Sequence, residues 1–332
     1  MSAFENYKQY LLAEYSNLPK GYYVTLFIIR KTESETIFRT EGSGEELVKE
    51  TVSAGLVDTT PMRRVVISKR KQTAVERRKG REFLNKHELL KRNNKGEFCM
   101  LNTNAPCEKC IDCYLYGFAA GGNGAQKSRV FTDDAYSLGS VAQIAARRTF
   151  NATFDNGTMR NPVTGEASRS INKDEYVRPQ SHFLDIETLK DVTLTELHYV
   201  IGNIMRSDRY GAISSRMGKV KNEIVAVAFS DCELFSNLEL TQQVYDQLKP
   251  ANEDELPFPL DDQTVKEETL SAIERLLIGT FSQKPMLLIG EQLQAELNGV
   301  AKLYYEQTGL VGDLKALSEY YDKKALSHSH DK

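Results

Sequence analysis

The chain has 332 residues, of which 40% are hydrophobic and 27% charged, a balance typical of one large globular domain or two ordinary ones. The formal net charge of −3 argues, taken alone, against a nucleic-acid partner. The charge is segregated, however: residues 61–95 hold 13 Lys and Arg against 3 Asp and Glu, and residues 231–332 hold 9 against 19. Such an asymmetry indicates a charged partner.

Membrane and secreted classes are excluded by the sequence pattern. No apolar run is long enough for a membrane span. The polar, acidic start at Met1–Glu5 lacks the pattern of a signal peptide. We therefore expect a cytoplasmic protein.

The first third of the chain is predicted to contain short strands and one helix. Residues 22–30 are rich in β-branched and aromatic residues and predict a buried strand, paired in a hairpin with residues 36–39. Val65 begins a further strand that leads into the basic segment. Residues 81–92 are predicted to form a short helix, and residues 93–126 a loop.

The middle of the chain predicts an insertion, a helix and a strand. Residues 149–180 are polar and irregular. Thr193 and Glu196 have the spacing of a capping box before an apolar helical face. Residues 224–229 are continuously apolar, which predicts a strand buried on both faces.

The last third is predicted to be helical. Residues 251–262 form an acidic, Pro-containing linker, after which Thr264 and Glu267 cap a helix that ends at Gly279. A second helix is predicted over residues 291–307. The order of strands, insertion, helix, strand and helices is typical of an α+β fold with an antiparallel sheet.

Four of the five cysteines predict a structural zinc site. Cys107, Cys110 and Cys113 are spaced C-x2-C-x2-C, and Cys99 completes four thiolates, the closed donor set of structural zinc. His87 is the alternative fourth ligand, and a metal-free reduced loop is the alternative to any metal. The ferredoxin iron–sulfur run requires a fourth Cys after Cys113, where residues 114–117 read Tyr-Leu-Tyr-Gly.

The basic segment over residues 63–81 favours nucleic-acid contact, because clustered Lys and Arg neutralise phosphates. The alternative is a solvated charged face, but such faces mix signs and Glu76 is the single acid here. Residues 119–129 combine glycines with Lys127 and Arg129, and could bring backbone amides close to phosphates. The alternative for that stretch is a flexible connector.

Five stretches resemble one protein family over most of residues 20–250. They are Cys-Ile-Asp-Cys-Tyr-Leu-Tyr-Gly-Phe-Ala (110–119), Gly-Ala-Gln-Lys-Ser-Arg-Val (124–130), Phe-Asn-Ala-Thr-Phe (150–154), His-Phe-Leu-Asp-Ile-Glu-Thr (182–188) and Arg-Tyr-Gly-Ala-Ile-Ser-Ser-Arg (209–216). They resemble the backbone subunit of CRISPR type I-D effector (Cascade) complexes, in the Csc branch of the Cas-seven superfamily.

The resemblance implies an α+β fold with an RRM-like (ferredoxin-like) core, an antiparallel sheet and inserted subdomains. The expected domains are the core at residues 1–92, 127–148 and 181–250, a zinc-binding and glycine-rich insertion at 93–126, a thumb-like hairpin insertion at 149–180, a helical C-terminal region at 251–326 and a disordered tail at 327–332. The zinc insertion of related complexes would match Cys99–Cys113.

The implied function is non-catalytic binding of a CRISPR RNA, along whose spacer copies of the subunit assemble as a filament in antiviral defence. The other partners would be target DNA or RNA and further subunits of the type I-D complex. The RNA-binding role would fall on Lys69, Arg70, Lys71, Arg77, Arg78, Lys127, Arg129, Arg148, Arg206, Arg209 and Arg216, with Phe154, Met159 and Arg160 at the thumb.

Two other functions stay open from the sequence. Some relatives cut RNA with a loop Asp, so the subunit could itself cleave RNA or single-stranded DNA with a metal ion held by Asp133, Asp134 or Asp155. A zinc-stabilised interaction scaffold would explain the cysteines but leaves the basic segment without a role.

Overall fold

The computed structural model of the chain describes residues 3–39, 47–93, 95–101, 106–120, 124–251, 253, 255–282 and 285–329. Its strands are β1 (Tyr23–Thr32), β2 (Lys49–Ser53), β3 (Pro61–Ile67), β4 (Phe118–Ala120), β5 (Gly124–Gln126), β6 (Val130–Thr132), β7 (Ala135–Ser140), β8 (Ala145–Asn151), β9 (Ile171–Val177), β10 (His182–Lys190), β11 (Val220–Ser230) and β12 (Met286–Ile289). Its helices are α1 (Lys69–Lys86), α2 (Ile111–Tyr116), α3 (Val141–Ile144), α4 (Leu194–Met205), α5 (Asn237–Leu248), α6 (Asp262–Ile278), α7 (Gly290–Glu306) and α8 (Thr308–Ser329), and a 3₁₀ helix covers Glu5–Tyr10.

One antiparallel sheet organises the molecule. Its strands lie in the order β12, β11, β1, β10, β7, β3 and β2, and the short β6 also pairs with β10. In the centre, Phe27 of β1 lies opposite Ile186 of β10 and Ala226 of β11. The apolar runs of β1 and β11 therefore lie in the middle of the sheet, where helices cover both faces.

The two faces of the sheet carry separate apolar cores. Leu26 and Ile28 of β1 point to the face covered by α1, α4, α7, α8 and the 3₁₀ helix. Phe27 and Ile29 point to the other face, covered by α5 and α6. This alternation follows from the two-residue period of a strand. The helical C-terminal part thus divides between the two faces, and the α+β class with an antiparallel sheet is confirmed.

The helix α4 begins where the sequence places it. The Thr193 hydroxyl accepts a hydrogen bond from the Glu196 amide, and the Glu196 carboxylate accepts one from the Thr193 amide at 2.9 Å. Both signals are local, so the sequence is sufficient to find them. The strand predicted over residues 224–229 lies inside β11, and the helix predicted over residues 291–307 matches α7 within one residue at each end.

The insertion over residues 149–180 forms an arm. Strands β8 and β9 pair antiparallel from Ala145 opposite Val177 to Asn151 opposite Ile171. The tip, residues 152–170, continues as turns with one isolated bridge between Arg160 and Ala167. The expected irregular segment is therefore a two-stranded hairpin with a long tip.

Several elements differ from the sequence prediction. The hairpin between residues 22–30 and 36–39 was wrong, because β1 pairs with β10 and β11 and Thr36 bridges Val177 instead. The strand that contains Val65 runs from Pro61 to Ile67, so Arg63 and Arg64 lie on β3, whereas the basic segment from Lys69 onward lies on a helix and not on a loop. That helix begins at Lys69 rather than at residue 81. Residues 93–126 contain α2, β4 and β5 besides loops.

The last third also needs correction. Asp261 caps α6 by accepting a hydrogen bond from the Thr264 amide at 2.8 Å, so the helix starts one turn earlier than its predicted cap at Thr264. The helices α5 and α8 and the strand β12 were not predicted. The helix α8 extends to Ser329, into the tail expected to be disordered, and residues 330–332 lie outside the described residues.

Among the described residues, no helix has the length and apolar content that crossing a membrane requires.

Candidate nucleic-acid interface and metal centre

The cations of the basic segment that lie on the helix α1 divide into an exposed and a buried group. Arg70, Lys71 and Arg78 are exposed. Lys69 is buried, and Arg77 is largely buried. A helix turns 100° per residue, so a uniform charge run must present some cations to the protein interior. Only the exposed group is available to a partner without rearrangement of the fold.

Lys69 belongs to a buried ionic cluster under α1. The Lys69 ammonium pairs with Asp185, and the Arg30 guanidinium contacts Glu76 at 2.9 Å, Asp185 at 2.6 Å and Glu187 at 2.8 Å. Two cations therefore face three carboxylates, all buried. Burial and the neighbouring Glu76 raise the pKa of Glu187 well above its ordinary value. Burial in this cluster therefore favours the neutral form of Glu187, and Lys69 is a structural residue.

Arg77 serves the metal-binding insertion. Its Nε and Nη2 atoms donate to the two oxygens of the buried Asp112 carboxylate at 3.1 and 2.7 Å. Arg81, one turn further along α1, donates to the same carboxylate at 2.8 Å and also approaches the Cys99 sulfur at 3.7 Å. Because Asp112 lies on α2 between Cys110 and Cys113, this double ion pair fixes the cysteine cluster to α1.

The four predicted cysteine ligands come together. The sulfur pairs Cys99–Cys113, Cys107–Cys113 and Cys99–Cys110 lie 3.5, 3.9 and 3.9 Å apart, and all four sulfurs are within 4.8 Å of one another. A tetrahedral metal with sulfur bonds of about 2.3 Å separates its ligands by about 3.8 Å. The donor set and its spacing therefore fit a four-thiolate metal site.

His87 is not part of this cluster. Its ring packs on Phe83, with the centroids 4.7 Å apart, and it is absent from the group of metal-capable side chains found among the described residues. The structure thus places Cys99, and not His87, as the fourth sulfur or nitrogen of the site.

Arg129 is likewise buried and engaged in contacts within the protein. It is 8% exposed and donates to Glu196 at 3.1 Å and to the Tyr321 hydroxyl at 3.0 Å. Burial by itself raises the pKa of Glu196, but the Arg129 charge together with hydrogen bonds from Arg129, Thr193 and Tyr321 lowers it below its ordinary value. Lys127, two residues earlier, is exposed, and Gly121, Gly122 and Asn123 lie outside the described residues.

The remaining cations that were predicted to bind RNA differ in the contacts they make within the protein. Arg148 pairs with Glu35 and lies over the Tyr176 ring. Arg206 is half-buried with its guanidinium 5.2 and 5.0 Å from the ring centroids of Phe83 and Tyr304. Arg209 is exposed and donates to the Met217 carbonyl at 3.1 Å, and Arg216 is exposed. Arg206 therefore packs on aromatic rings, unlike Arg209 and Arg216, which are exposed.

The three candidates at the tip of the arm are held by turns. Phe154 and Met159 are half-buried, and Arg160 is exposed and donates to the Gly165 carbonyl at 3.1 Å. The Phe154 amide donates to the Thr158 carbonyl at 2.9 Å, which closes a tight turn. The tip thus carries two half-buried apolar side chains and one exposed cation.

Two pockets flank the loop between α4 and β11. The first, here the α1 pocket, has a volume of about 160 Å³ and lies beside the start of α1, with Arg39, Lys71, Gln72, Val75, Arg78 and Ala212 in its wall. The second, here the arm pocket, has a volume of about 610 Å³ between the base of the arm and Arg216. Arg148 lines the arm pocket from β8.

These pockets define one basic surface. We use that name for the cations that line them, Arg39, Lys71, Arg78, Arg148 and Arg216, together with the exposed Arg70 and Arg209, which line neither pocket. Arg39 and Gln72 were missed by the sequence prediction, because neither stands out in a charge run. Asp112 was also missed, although its position between two cysteines is a signal that could have found it.

Comparisons with known proteins give one family match and several structures of similar fold. The family model described as Csc2 Crispr matches residues 10–312. The structure titled "Crystal structure of Thermofilum pendens Csc2" is similar with a TM-score of 0.60 and 19% identity, over 96% of each chain. A chain titled "CRISPR RNA-guided surveillance complex, pre-nicking" has a TM-score of 0.53 and 9% identity, over 81% of this chain and 92% of its own. No curated protein sequence matches.

Proposed function

The chain belongs to the Csc2 CRISPR family of Cascade backbone subunits, and from that premise we propose that it is a non-catalytic guide-RNA-binding subunit. Copies of it assemble along the spacer of a CRISPR RNA in a type I-D interference complex and present the RNA for pairing with target nucleic acid. The observation that carries the proposal is the basic surface, which runs across both pockets.

The chemistry of the basic surface suits a guide that must remain free to pair. Lys71, Arg78 and Arg216 are long cations that bind phosphate without reading base edges. A protein that delegates sequence reading to base pairing should hold the RNA backbone in this way. Salt-dependent binding with little sequence preference follows.

The fold supports the same role. Strands β11, β1, β10 and β7 are neighbours in that order, and α1 and α4 follow β1 and β10 on one face of the sheet. This order and these crossover helices favour an RRM-like core. The arm of β8 and β9 is our candidate thumb, with Phe154, Met159 and Arg160 at its tip.

The partners and the cofactor follow from this role. The partners are a CRISPR RNA, target DNA or RNA, further copies of the chain and other subunits of a type I-D complex, in the cytoplasm. The metal is zinc, which four thiolates bind in a closed, structural site. When bound, zinc would hold Cys99, Cys107, Cys110 and Cys113 together and neutralise their charge, without taking part in a reaction.

Charge reversal of exposed cations tests the RNA site. Arg70→Glu, Lys71→Glu and Arg78→Glu combined should weaken binding of a single-stranded RNA by about tenfold or more, since each removes a phosphate contact. The slope of log affinity against log salt should fall in magnitude by about 2, at roughly 0.7 for each contact. Fluorescence anisotropy at several salt concentrations measures both.

A matched control reverses three exposed cations outside both pockets, with Lys8→Glu, Lys221→Glu and Lys302→Glu. This variant has the same net charge and should bind RNA far better than the first. Equal affinity of the two variants would show that binding follows net charge alone and would remove the basic surface as the site.

Metal-dependent cleavage is the alternative outcome. Asp133 and Asp134 lie between β6 and β7, and Asp134 accepts a hydrogen bond from the Lys69 amide at 2.9 Å. Among the described residues, the cysteine cluster is the one group of three or more metal-capable side chains that comes together. Asp155 lies on the arm.

Incubation of the RNA-loaded protein with complementary RNA or single-stranded DNA and magnesium should leave both strands intact. A cleavage product that appears with the wild-type protein and is lost in Asp134→Ala or Asp155→Ala would establish cleavage instead.

A further inference from the structure

The helix α1 carries the exposed cations Arg70 and Lys71 in its first turn but has no capping group of its own. Ser68 precedes the helix and its side chain makes no capping hydrogen bond, and the first turn contains no acidic residue. The first amides of a helix have no partner within the helix, so an oxygen-bearing side chain usually accepts a hydrogen bond from one of them. The start of α1 therefore depends on a group from another element.

Asp134 supplies this group from the turn between β6 and β7. Its Oδ1 atom accepts a hydrogen bond at 2.9 Å from the amide of Lys69, the first residue of α1. The helix dipole favours a carboxylate at this end of a helix. The neighbouring Asp133 is exposed like Asp134, but its side chain makes no hydrogen bond or ion pair among the described residues. The two adjacent carboxylates thus differ in one contact, the cap of α1.

The turn that carries Asp134 is held in place by a side chain of α5, a helix on the opposite face of the sheet. Asn237 is the first residue of α5 and is 1% exposed, and its Nδ2 atom donates to the carbonyls of Asp133 at 3.0 Å and Asp134 at 3.2 Å. The same atom donates at 3.1 Å to Asp185, the carboxylate that pairs with Lys69. The first turn of α1 is therefore held both at its end and on its inner side, which fixes the position of its outer side.

We propose that Asp134 is a positioning residue for RNA binding, which caps α1 and so holds Arg70 and Lys71 where they meet the phosphates. The inference rests on the proposed RNA-binding function and adds to it a residue whose charge is wrong for contact with RNA. A carboxylate near the site repels phosphate. The effect of Asp134 on RNA affinity is therefore the sum of a favourable cap and an unfavourable charge, which variants can separate.

Variants of equal net charge isolate the contribution of the cap. Asp133→Ala and Asp134→Ala remove the same charge from adjacent positions, but only the second removes the cap. Asp134→Asn removes the charge and keeps an oxygen acceptor. Single-stranded RNA should bind Asp134→Ala about threefold to tenfold more weakly than Asp133→Ala, the factor that corresponds to the loss of one helix cap. Asp134→Asn should restore the affinity of Asp133→Ala. Fluorescence anisotropy measures these affinities.

Salt dependence and a double-mutant cycle test whether Asp134 acts through the two cations. The slope of log affinity against log salt should fall in magnitude by up to about 1.4 in Asp134→Ala, at roughly 0.7 for each displaced cation. A general loss of stability would not change this slope. In a protein that already carries Arg70→Ala and Lys71→Ala, Asp134→Ala should cause no further loss of affinity.

Asn237→Ser provides a second test at a buried position that RNA does not reach. It removes the hydrogen bonds to the turn and should lower the RNA affinity and the salt slope in the same direction as Asp134→Ala. Melting temperatures establish that each variant is folded where binding is measured.

Equal RNA affinities of folded Asp133→Ala and Asp134→Ala would overturn the inference. An undiminished effect of Asp134→Ala in the protein without the two cations would also overturn it, as would an unchanged affinity of folded Asn237→Ser. A wild-type protein that binds no RNA would instead remove the proposed function, and the inference with it.

Discussion

Lys69 and Lys71 stand two positions apart in one helical turn, yet only Lys71 is exposed. The same division separates Lys127 from Arg129. In each case the buried cation forms an ion pair with an acid distant in sequence: Lys69 with Asp185, and Arg129 with Glu196. A charge run identifies the basic region but does not tell which cations are neutralised, because the partners come from other elements. That is why the cations of the site could be predicted only as a set.

The raised pKa of the buried Glu187 makes the free energy of unfolding depend on pH. Unfolding exposes Glu187, whose pKa then returns to about 4.5 from a higher value, so above that pH unfolding releases a proton. Stability should therefore fall by up to about 1.4 kcal/mol per pH unit from 4.5 up to the folded pKa. Glu187→Gln, which cannot titrate, should remove that decline.

Urea unfolding at pH 5 and pH 8 measures the difference between the two proteins. The exposed Glu306→Gln serves as the control for loss of one carboxylate. The same decline with pH in wild type and Glu187→Gln would mean that Glu187 is ionised in the folded protein.

At the scale of elements, α1 joins two functions. Arg70, Lys71 and Arg78 face solvent, and Arg77 and Arg81 hold Asp112 of the cysteine cluster. The apolar content of α1 is low, which is why its pattern gave a later helix start than the true one. The capping signals of α4 and the apolar run of β11 could be found because each is contained within its own element. The pairing of β1 could not, since its partners are more than 140 residues away.

Loss of the Asp112 charge should loosen α1 from the cysteine cluster. Asp112→Asn leaves two buried or half-buried guanidinium groups without their counter-ion, which costs about 3–5 kcal/mol. Thermal unfolding measures this, with the exposed Asp313→Asn as the control. Equal melting temperatures for the two variants would contradict the structural role of the double ion pair.

Metal removal should weaken RNA binding through the ion pairs that join Arg77 and Arg81 of α1 to Asp112. Cys110→Ser should lower the metal content found by mass spectrometry and weaken RNA binding by severalfold, because α1 loses its fixed position beside the pocket. The loss of affinity should exceed any change in Cys232→Ser, since Cys232 lies outside the cluster. Full RNA affinity in metal-free protein would separate the two functions.

On the scale of the whole molecule, the segregated charge does not amount to two opposite faces. The helix α6 lies across the sheet from α1, but α8 shares the face of α1, and Asp322 of α8 pairs with Lys91 at 2.6 Å. The arm stands apart from this division. Its tip, residues 152–170, contributes no residue to any of the apolar cores.

The arm should therefore be removable without loss of the fold. Replacing residues 152–170 by a short Asn-Gly turn keeps β8 and β9 paired and should leave the melting temperature within about 4 °C, consistent with a change of less than about 1 kcal/mol. If the arm is the thumb, assemblies on a long RNA should become shorter by native mass spectrometry, whereas a single chain should still bind RNA. Unchanged assemblies would contradict that role.

The pairing of β1 has a consequence for how the protein is made. Ile28 in β1 lies opposite Asp185 and Ile224, so this largely apolar strand leaves the ribosome long before either partner is synthesised. At about 5–20 residues per second this interval is on the order of ten seconds. Synthesis therefore passes through a stage in which a complete sheet-forming segment has nothing to pair with, and a chaperone that binds short apolar segments would find its site within residues 23–32.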